Sequence, residues 1–201
     1  MHIYSYLALG DSYTIGEAVP LLSSFPYQTV QLLRNAGYDF MAPEIIAKSG
    51  WTTDELEDAM KSYHFLPKYD FVSLLIGVNN QYRGRDLIQY KEQFEELMKK
   101  AIGLANGKKE HVVVISIPDY SRTPYAQQMN LEKIAREIEV FNSVNRAIST
   151  QYKVQYIDIS TGVEALQADM EQVTDDKLHP SANVYAQWAE KLFEFMAEQL
   201  K

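Results

Sequence analysis

Residues 71–80 read Phe-Val-Ser-Leu-Leu-Ile-Gly-Val-Asn-Asn. Six nearly continuous apolar positions are too few for a core helix, and they end abruptly on a glycine-asparagine turn. The reading that fits is a β-strand covered on both faces, delivering its carboxyl end to a polar loop. Outward from this stretch the same kind of run recurs at Ile3–Leu9, Glu44–Ala47, Val112–Ile117 and Val154–Ile159. Longer amphipathic stretches separate the runs. Leu87, Tyr90, Phe94, Leu97, Ala101 and Leu104 repeat at intervals of three or four, as do Leu131, Ile134, Ile138, Phe141 and Ile148. Ala182, Tyr185, Ala189, Leu192, Met196 and Leu200 do the same near the end. Gly37 and Asn106-Gly107 fall where left-handed helix caps belong, and Thr52-Thr53-Asp54-Glu55 has the spacing of a capping box. Strands alternating with helices through short connections predict an α/β domain with a mainly parallel sheet and helices on both faces. Such sheets bind ligands at the carboxyl ends of their strands.

The chain has 201 residues and no repeat, low-complexity tract or linker, so residues 1–201 are expected to form one domain. There is no cysteine, which excludes thiolate catalysis, disulfides and zinc-thiolate sites. With 27 acidic residues against 19 basic ones the net charge is -8, and no basic run is present, so nucleic acid is not an expected partner. The longest apolar runs fall far short of the roughly 20 residues of a membrane span. The first residues, Met-His-Ile-Tyr-Ser-Tyr-Leu, carry neither a Lys/Arg segment nor a long apolar core, so no signal peptide is expected and the cytoplasm is the expected compartment. Neither Gly-x-Gly-x-x-Gly nor a P-loop is present, and no His-x-His or Glu-x-x-His spacing occurs; no nucleotide cofactor and no metal are expected.

The carboxyl-end rule directs attention to the residues after each apolar run. After the first comes Gly10-Asp11-Ser12, where a serine hydroxyl points into the cleft; alone, such a tripeptide more often caps a turn. Of the histidines, His2 is terminal, His64 lies in a Tyr-His-Phe connection and His111 opens a strand at its amino end. His179 alone sits on a loop at the active edge, and Asp176 stands three residues before it. That spacing lets a carboxylate fold back onto the imidazole Nδ1, leaving Nε2 free to act as a base toward Ser12. Asp175 competes for the same role. Acyl transfer also needs donors for a developing oxyanion; the Ser12 amide, the Gly50 amide and the Asn79 side chain are the candidates, although Gly77-Val78-Asn79-Asn80 also suits an ordinary turn.

Gly-Asp-Ser after the first strand, a glycine after the second, Gly-x-Asn after the third and Asp-x-x-His before the last helix all fall, in order, on one edge. Together they resemble the SGNH hydrolases, the GDSL lipase and esterase family, from Leu9 to the final helix. The resemblance implies a flavodoxin-like three-layer α/β/α sandwich with a five-stranded parallel sheet. It implies Ser12 as nucleophile, His179 as base, Asp176 as its orienting carboxylate, and Ser12, Gly50 and Asn79 as the oxyanion hole. One position departs from the pattern: Asn80 stands where the family usually carries aspartate, which bears on local loop geometry more than on catalysis.

The expected function is therefore serine esterase action on small acyl esters. The partner is a small-molecule ester, with an acylated carbohydrate or a lipid both compatible, and nothing in the residues selects an oligomeric state. An acyltransferase and a non-catalytic binding module on the same sandwich are the competing readings. Trp51 either walls the acyl pocket or packs beneath its loop. Tyr82, Arg83 and Arg85 either meet substrate or belong to a solvated loop, the commoner case.

Overall fold

The computed structural model describes residues 2–159 and 172–201. Five strands, β1 (Tyr6–Gly10), β2 (Glu44–Ala47), β3 (Phe71–Leu75), β4 (Val112–Ile115) and β5 (Gln155–Ile157), form one parallel sheet in the order β2-β1-β3-β4-β5. The helices are α1 (Ser12–Ile15), α2 (Phe25–Asn35), α3 (Thr53–Ser62), α4 (Val78–Tyr82), α5 (Leu87–Leu104), α6 (Leu131–Tyr152) and α7 (Ala182–Gln199). α2 packs against α7, and α5 packs against both α3 and α6, which gives a three-layer α/β/α sandwich. The strand order is that of flavodoxin-like sheets, with a switch point between β1 and β3. Residues 160–171, part of the connection from Ile159 to α7, lie outside the described residues.

The burial of each strand follows from its place. Every residue of the central strands β1, β3 and β4 is buried, whereas β2 and β5, at the two edges, are only partly covered. The one polar residue inside β3, Ser73, is satisfied across the sheet by the Tyr6 hydroxyl at 2.7 Å. The apolar run at the amino end begins earlier than its strand: Ile3 is exposed, and Tyr4 makes a single bridge to Phe40 before regular pairing starts at Tyr6. The helices bury the positions their periodicity marks, for example Tyr90, Phe94, Leu97 and Ala101 of α5. Gly37 (φ 92°), Asn106 (φ 58°) and Gly107 (φ 79°) adopt the left-handed backbone expected after α2 and α5. Two asparagines lock α6 onto the sheet ends. Asn142 exchanges two hydrogen bonds with the backbone of Ile117, at 2.7 and 2.9 Å, and Asn145 accepts from the Tyr90 hydroxyl at 2.7 Å.

The junction of β1 and α1 positions the site. Gly10 ends the strand where a Cβ would collide with the Thr14 hydroxyl and the Leu75 carbonyl, so only glycine lets the chain turn this close to β3. Asp11 then caps α1, its Oδ1 accepting from the Tyr13 amide at 3.0 Å. Asp11 is wholly buried and its Oδ2 has no partner among the described residues. Burial pushes the Asp11 carboxyl up to about 7, against the smaller opposing effect of the backbone N–H groups it faces.

Two outcomes follow from this junction. Gly10→Ala should cost roughly 2–3 kcal/mol of stability, the usual penalty of overpacking, measurable as a lower urea midpoint. Asp11 keeps a proton in the folded state that the unfolded chain releases from about pH 4 upward, so its contribution to stability falls as pH rises from about 4 to about 7. Asp11→Asn removes that loss. Relative to the parent protein, the variant should gain stability on going from pH 4 to pH 8, by roughly 4 kcal/mol at most. Urea melts showing the same pH slope in both proteins would contradict a protonated, buried Asp11.

Candidate active site

The residues singled out by the carboxyl-end rule come together at the switch point. Ser12, Asn79 and His179 line one cleft, which holds about 400 Å³ including its open mouth. Its walls are mainly aromatic, with Tyr13, Tyr82, Tyr120 and Tyr125 joined by Val78 and Leu178. Ser12 is the first residue of α1, and it is buried. An amide at this helical position has no intrahelical acceptor, so the Ser12 N–H is available to a ligand. The ring of Tyr13 lies 5.4 Å from that of His179, centroid to centroid, packing the segment that carries Ser12 against the imidazole. No hydrogen bond joins Ser12 to His179 in this arrangement; contacts of this kind are often long in free sites and tighten on substrate.

His179 and Asp176 are presented by a tight reversal of the chain. Val173 and Pro180 form an antiparallel bridge, the Thr174 amide donates to the His179 carbonyl at 2.9 Å, and Lys177 turns the chain with φ 64°. The reversal folds the Asp176 carboxylate back on its own loop. Its Oδ1 accepts from the Thr174 hydroxyl (2.8 Å), the Leu178 amide (2.8 Å) and the His179 amide (2.9 Å), while Oδ2 takes His179 Nδ1 at 2.6 Å. Burial alone would push this carboxyl up. The His179 ring, the two backbone amides and the Thr174 hydroxyl outweigh it and hold Asp176 at about 2. An ionised carboxylate only accepts, so the proton of the neutral imidazole resides on Nδ1, and Nε2 carries the lone pair. The neighbouring Asp175 is exposed and makes no such contacts among the described residues.

Two of the other histidines, His2 and His111, take structural places at the amino edge, and His64 is exposed on its connection. His111 stacks on Phe71 at 4.7 Å and bonds the Asp70 carbonyl at 2.7 Å, and His2 pairs with the Asp70 carboxylate at 3.0 Å. Among the described residues no cluster of three metal-ligating side chains occurs, and no helix is long and apolar enough to cross a membrane.

Gly50 itself does not line the cleft but sits on the loop beside it, at φ 83°. Three residues of α4 or its end hold that loop. Asn79 donates to the Trp51 carbonyl at 3.0 Å, and Arg83 donates through Nη2 to the Gly50 carbonyl at 2.5 Å and through Nη1 to Glu55 at 3.2 Å. Asn80, fully buried, accepts from the Thr53 amide at 3.1 Å and donates to the Thr53 hydroxyl at 2.8 Å. The Thr53 hydroxyl in turn donates to Gln93 at 2.6 Å. The Asn80 amide thus makes both bonds without burying a charge, which accounts for asparagine at a position where the resemblance leads one to expect aspartate. Glu55 closes the capping box of α3 by accepting from the Thr52 amide at 2.9 Å. The Trp51 ring packs against the core and is not a wall of the cleft, and Arg85 contributes its backbone N–H to the Asn80 carbonyl.

Of the residues that the sequence leaves between substrate contact and solvated loop, Tyr82 lines the cleft and Arg83 instead clamps the Gly50 loop; Tyr13, Tyr120 and Tyr125 are cleft residues the sequence does not point to. Tyr82 and Tyr125 come from opposite walls and join their hydroxyls at 3.0 Å. The only signal for them was position: Tyr82 lies three residues after Asn79, on the same helix.

The sequence matches the GDSL-like Lipase/Acylhydrolase family over residues 8–187. No curated protein matches it. Among solved structures, a lipase/acylhydrolase from Enterococcus faecalis superposes with a TM-score of 0.75 at 18% identity, over 97% of this chain and 96% of that one. TesA does so with 0.74 at 19% identity, over 96% and 97%. Axe2, an acetylxylan esterase from Geobacillus stearothermophilus, gives 0.70 at 19% identity, over 98% and 96%. The likeness to these structures is one of fold; the family match spans nearly the whole sequence, and the chain belongs to the GDSL-like lipase/acylhydrolase family.

Proposed function

We propose that this protein is a serine esterase that hydrolyses small acyl esters, with Ser12 as nucleophile, His179 as general base and Asp176 as the carboxylate that orients it. The observation that carries the reading is the 2.6 Å bond between Asp176 and His179 Nδ1, made by a carboxylate held ionised on the rim of the cleft that contains Ser12. It leaves Nε2 as the basic nitrogen on the side of the ring away from Asp176. In the first step Nε2 takes the Ser12 proton as Oγ attacks the ester carbonyl. The charge that develops on the carbonyl oxygen is met by the Ser12 and Gly50 amides and the Asn79 side chain, whose second N–H is not used on Trp51. The tetrahedral intermediate collapses, and the alcohol leaves with the proton from His179. Water, deprotonated by the same imidazole, then attacks the acyl-enzyme and releases the acid.

The mainly aromatic cleft, about 400 Å³ with its open mouth, is of a size that suits small acyl groups. Acetylated carbohydrate, the substrate class in the description of Axe2, belongs in any substrate panel beside nitrophenyl esters of increasing chain length. Product analysis with added alcohols separates hydrolysis from acyl transfer.

Purified protein should release nitrophenol from the acetate ester and take a fluorophosphonate label on Ser12. Ser12→Ala should lower kcat by about 10⁶-fold. Asp176→Asn should lower it by about 10⁴-fold, because the amide stabilises the wrong imidazole tautomer. Asn79→Ala should cost about 10²–10³-fold. A Ser12→Ala protein with undiminished hydrolysis refutes the mechanism.

A further inference from the structure

The loop that carries Gly50 is a four-residue turn, Lys48 to Trp51, closed by the Trp51 amide donating to the Lys48 carbonyl at 3.2 Å. Gly50 is its third residue and has φ 83°, the signature of a type II turn. The middle peptide of such a turn, here Ser49–Gly50, points opposite to the middle peptide of a type I turn. Glycine at the third position accepts this positive φ at little cost, so the type II form sets the direction of the middle peptide. The Gly50 N–H belongs to that middle peptide and has no acceptor among the described residues. Flipping the peptide would carry the N–H to the opposite side of the turn.

Side chains fix where the turn stands. The Gly50 carbonyl belongs to the following peptide, Gly50–Trp51, whose N–H closes the turn on Lys48, and the place of that peptide sets where the Gly50 N–H stands. This carbonyl is the acceptor of the 2.5 Å charge-assisted bond from Arg83 Nη2. The other arm of the guanidinium is anchored on Glu55 at 3.2 Å, and Glu55 is itself anchored on the Thr52 amide. Arg83 follows Asn79 by one helical turn, its amide bonding the Asn79 carbonyl at 3.0 Å, so both side chains reach the same loop from α4 and its end. Asn79 holds the Trp51 carbonyl one peptide further on, and the Ser49 hydroxyl bonds the Glu17 carboxylate on the other side. The Arg83–Glu55 pair is more than a third exposed on both sides and adds little to stability as an ion pair. Its geometry has a different consequence.

We propose that Arg83 is a positioning residue for acyl transfer: by holding the Gly50 carbonyl it fixes the Gly50–Trp51 peptide, and with it the place from which the Gly50 N–H meets the developing oxyanion. The inference rests on the esterase reading above. Arg83 touches no reacting atom and acts only through the loop it holds. The interaction it governs grows in the transition state, so its loss should appear in kcat and not in ground-state binding.

The test compares the parent protein with Arg83→Met and Arg83→Lys in three measurements: kcat and KM on nitrophenyl acetate, inhibition by an alkyl boronic acid that forms a tetrahedral adduct on Ser12, and melting temperature. Arg83→Met should lower kcat by about 10–10²-fold, the scale of a misplaced donor, with KM changed less than about twofold. Its affinity for the boronate should fall by the same factor as kcat while the protein remains folded at the assay temperature. Arg83→Lys should return to within about fivefold of the parent, since an ammonium still bonds the carbonyl. The proposal is overturned if Arg83→Met keeps parental kcat, if KM rises in place of a fall in kcat, or if boronate affinity does not follow kcat. A parent protein that neither hydrolyses esters nor takes the fluorophosphonate label removes the esterase reading itself and this inference with it. An active, labelled parent with an unaffected Arg83→Met variant removes the inference alone.

Discussion

One close approach governs the whole site: at the carboxyl end of β1 the backbone of Gly10 lies against the Leu75 carbonyl of β3 and the Thr14 hydroxyl of α1, with no room for a side chain. Because the two strands run this close at the switch point, the chain after β1 must turn at once into α1, while the chain after β3 turns into α4. The connections diverge and leave a crevice between them, the place where parallel sheets of this order hold ligands. Ser12 and Asn79 are second and fourth after the ends of their strands and face this crevice from its two sides. The apolar sheet beneath is rigid and close-packed, and it supplies position without taking part in chemistry.

What the sheet does not specify, polar side chains on the loops do. Each group is held by a side-chain partner: His179 by Asp176 of its own loop, and, from other segments, the Gly50 loop by Asn79 and Arg83 and Thr53 by Asn80. This arrangement carries a cost in unpaired groups. Among the described residues, six buried side-chain polar atoms lack a partner, and four of them (Asp11 Oδ2, Thr14 Oγ1, Ser181 Oγ and Tyr185 Oη) cluster around the segments that present Ser12 and His179. A fold optimised for stability alone would satisfy or delete such groups. Their concentration at one edge marks where local consistency gives way to function.

Much of this was readable from the residues in order, and the reason is range. Strands and helices follow from periods of two to four residues, and the reversal that joins Asp176 to His179 spans three residues, so spacing points to both while leaving Asp175 as a competitor to Asp176. The Ser12 and Asn79 positions followed from the carboxyl-end rule once the strands were placed. The cleft walls were not legible, because Tyr13, Tyr82, Tyr120 and Tyr125 come from four separate segments and carry no mutual spacing. The role of Arg83 is hidden for the same reason: the sequence leaves it between substrate contact and solvated loop, and its partner lies 33 positions away. The substitution at residue 80 looked like a loss until the Thr53 hydroxyl proved to be donating to Gln93, which leaves it only an acceptor and makes an amide the matching group.

The two acidic residues closest to Ser12 and His179 show how environment divides like groups between roles. Asp176 sits on the rim with four donors converging on it and stays ionised, the state that the proposed triad requires of it. Asp11, adjacent to Ser12, faces backbone N–H groups and an apolar interior, and burial raises it to about 7. On the esterase proposal, a full negative charge at that point would oppose an oxyanion beside Ser12. Capping α1 with a carboxyl whose ionisation burial disfavours weakens that opposition while still satisfying the helix. Burial and hydrogen bonding thus push two carboxyl groups of one site in opposite directions, which is the pattern the proposed division of roles needs.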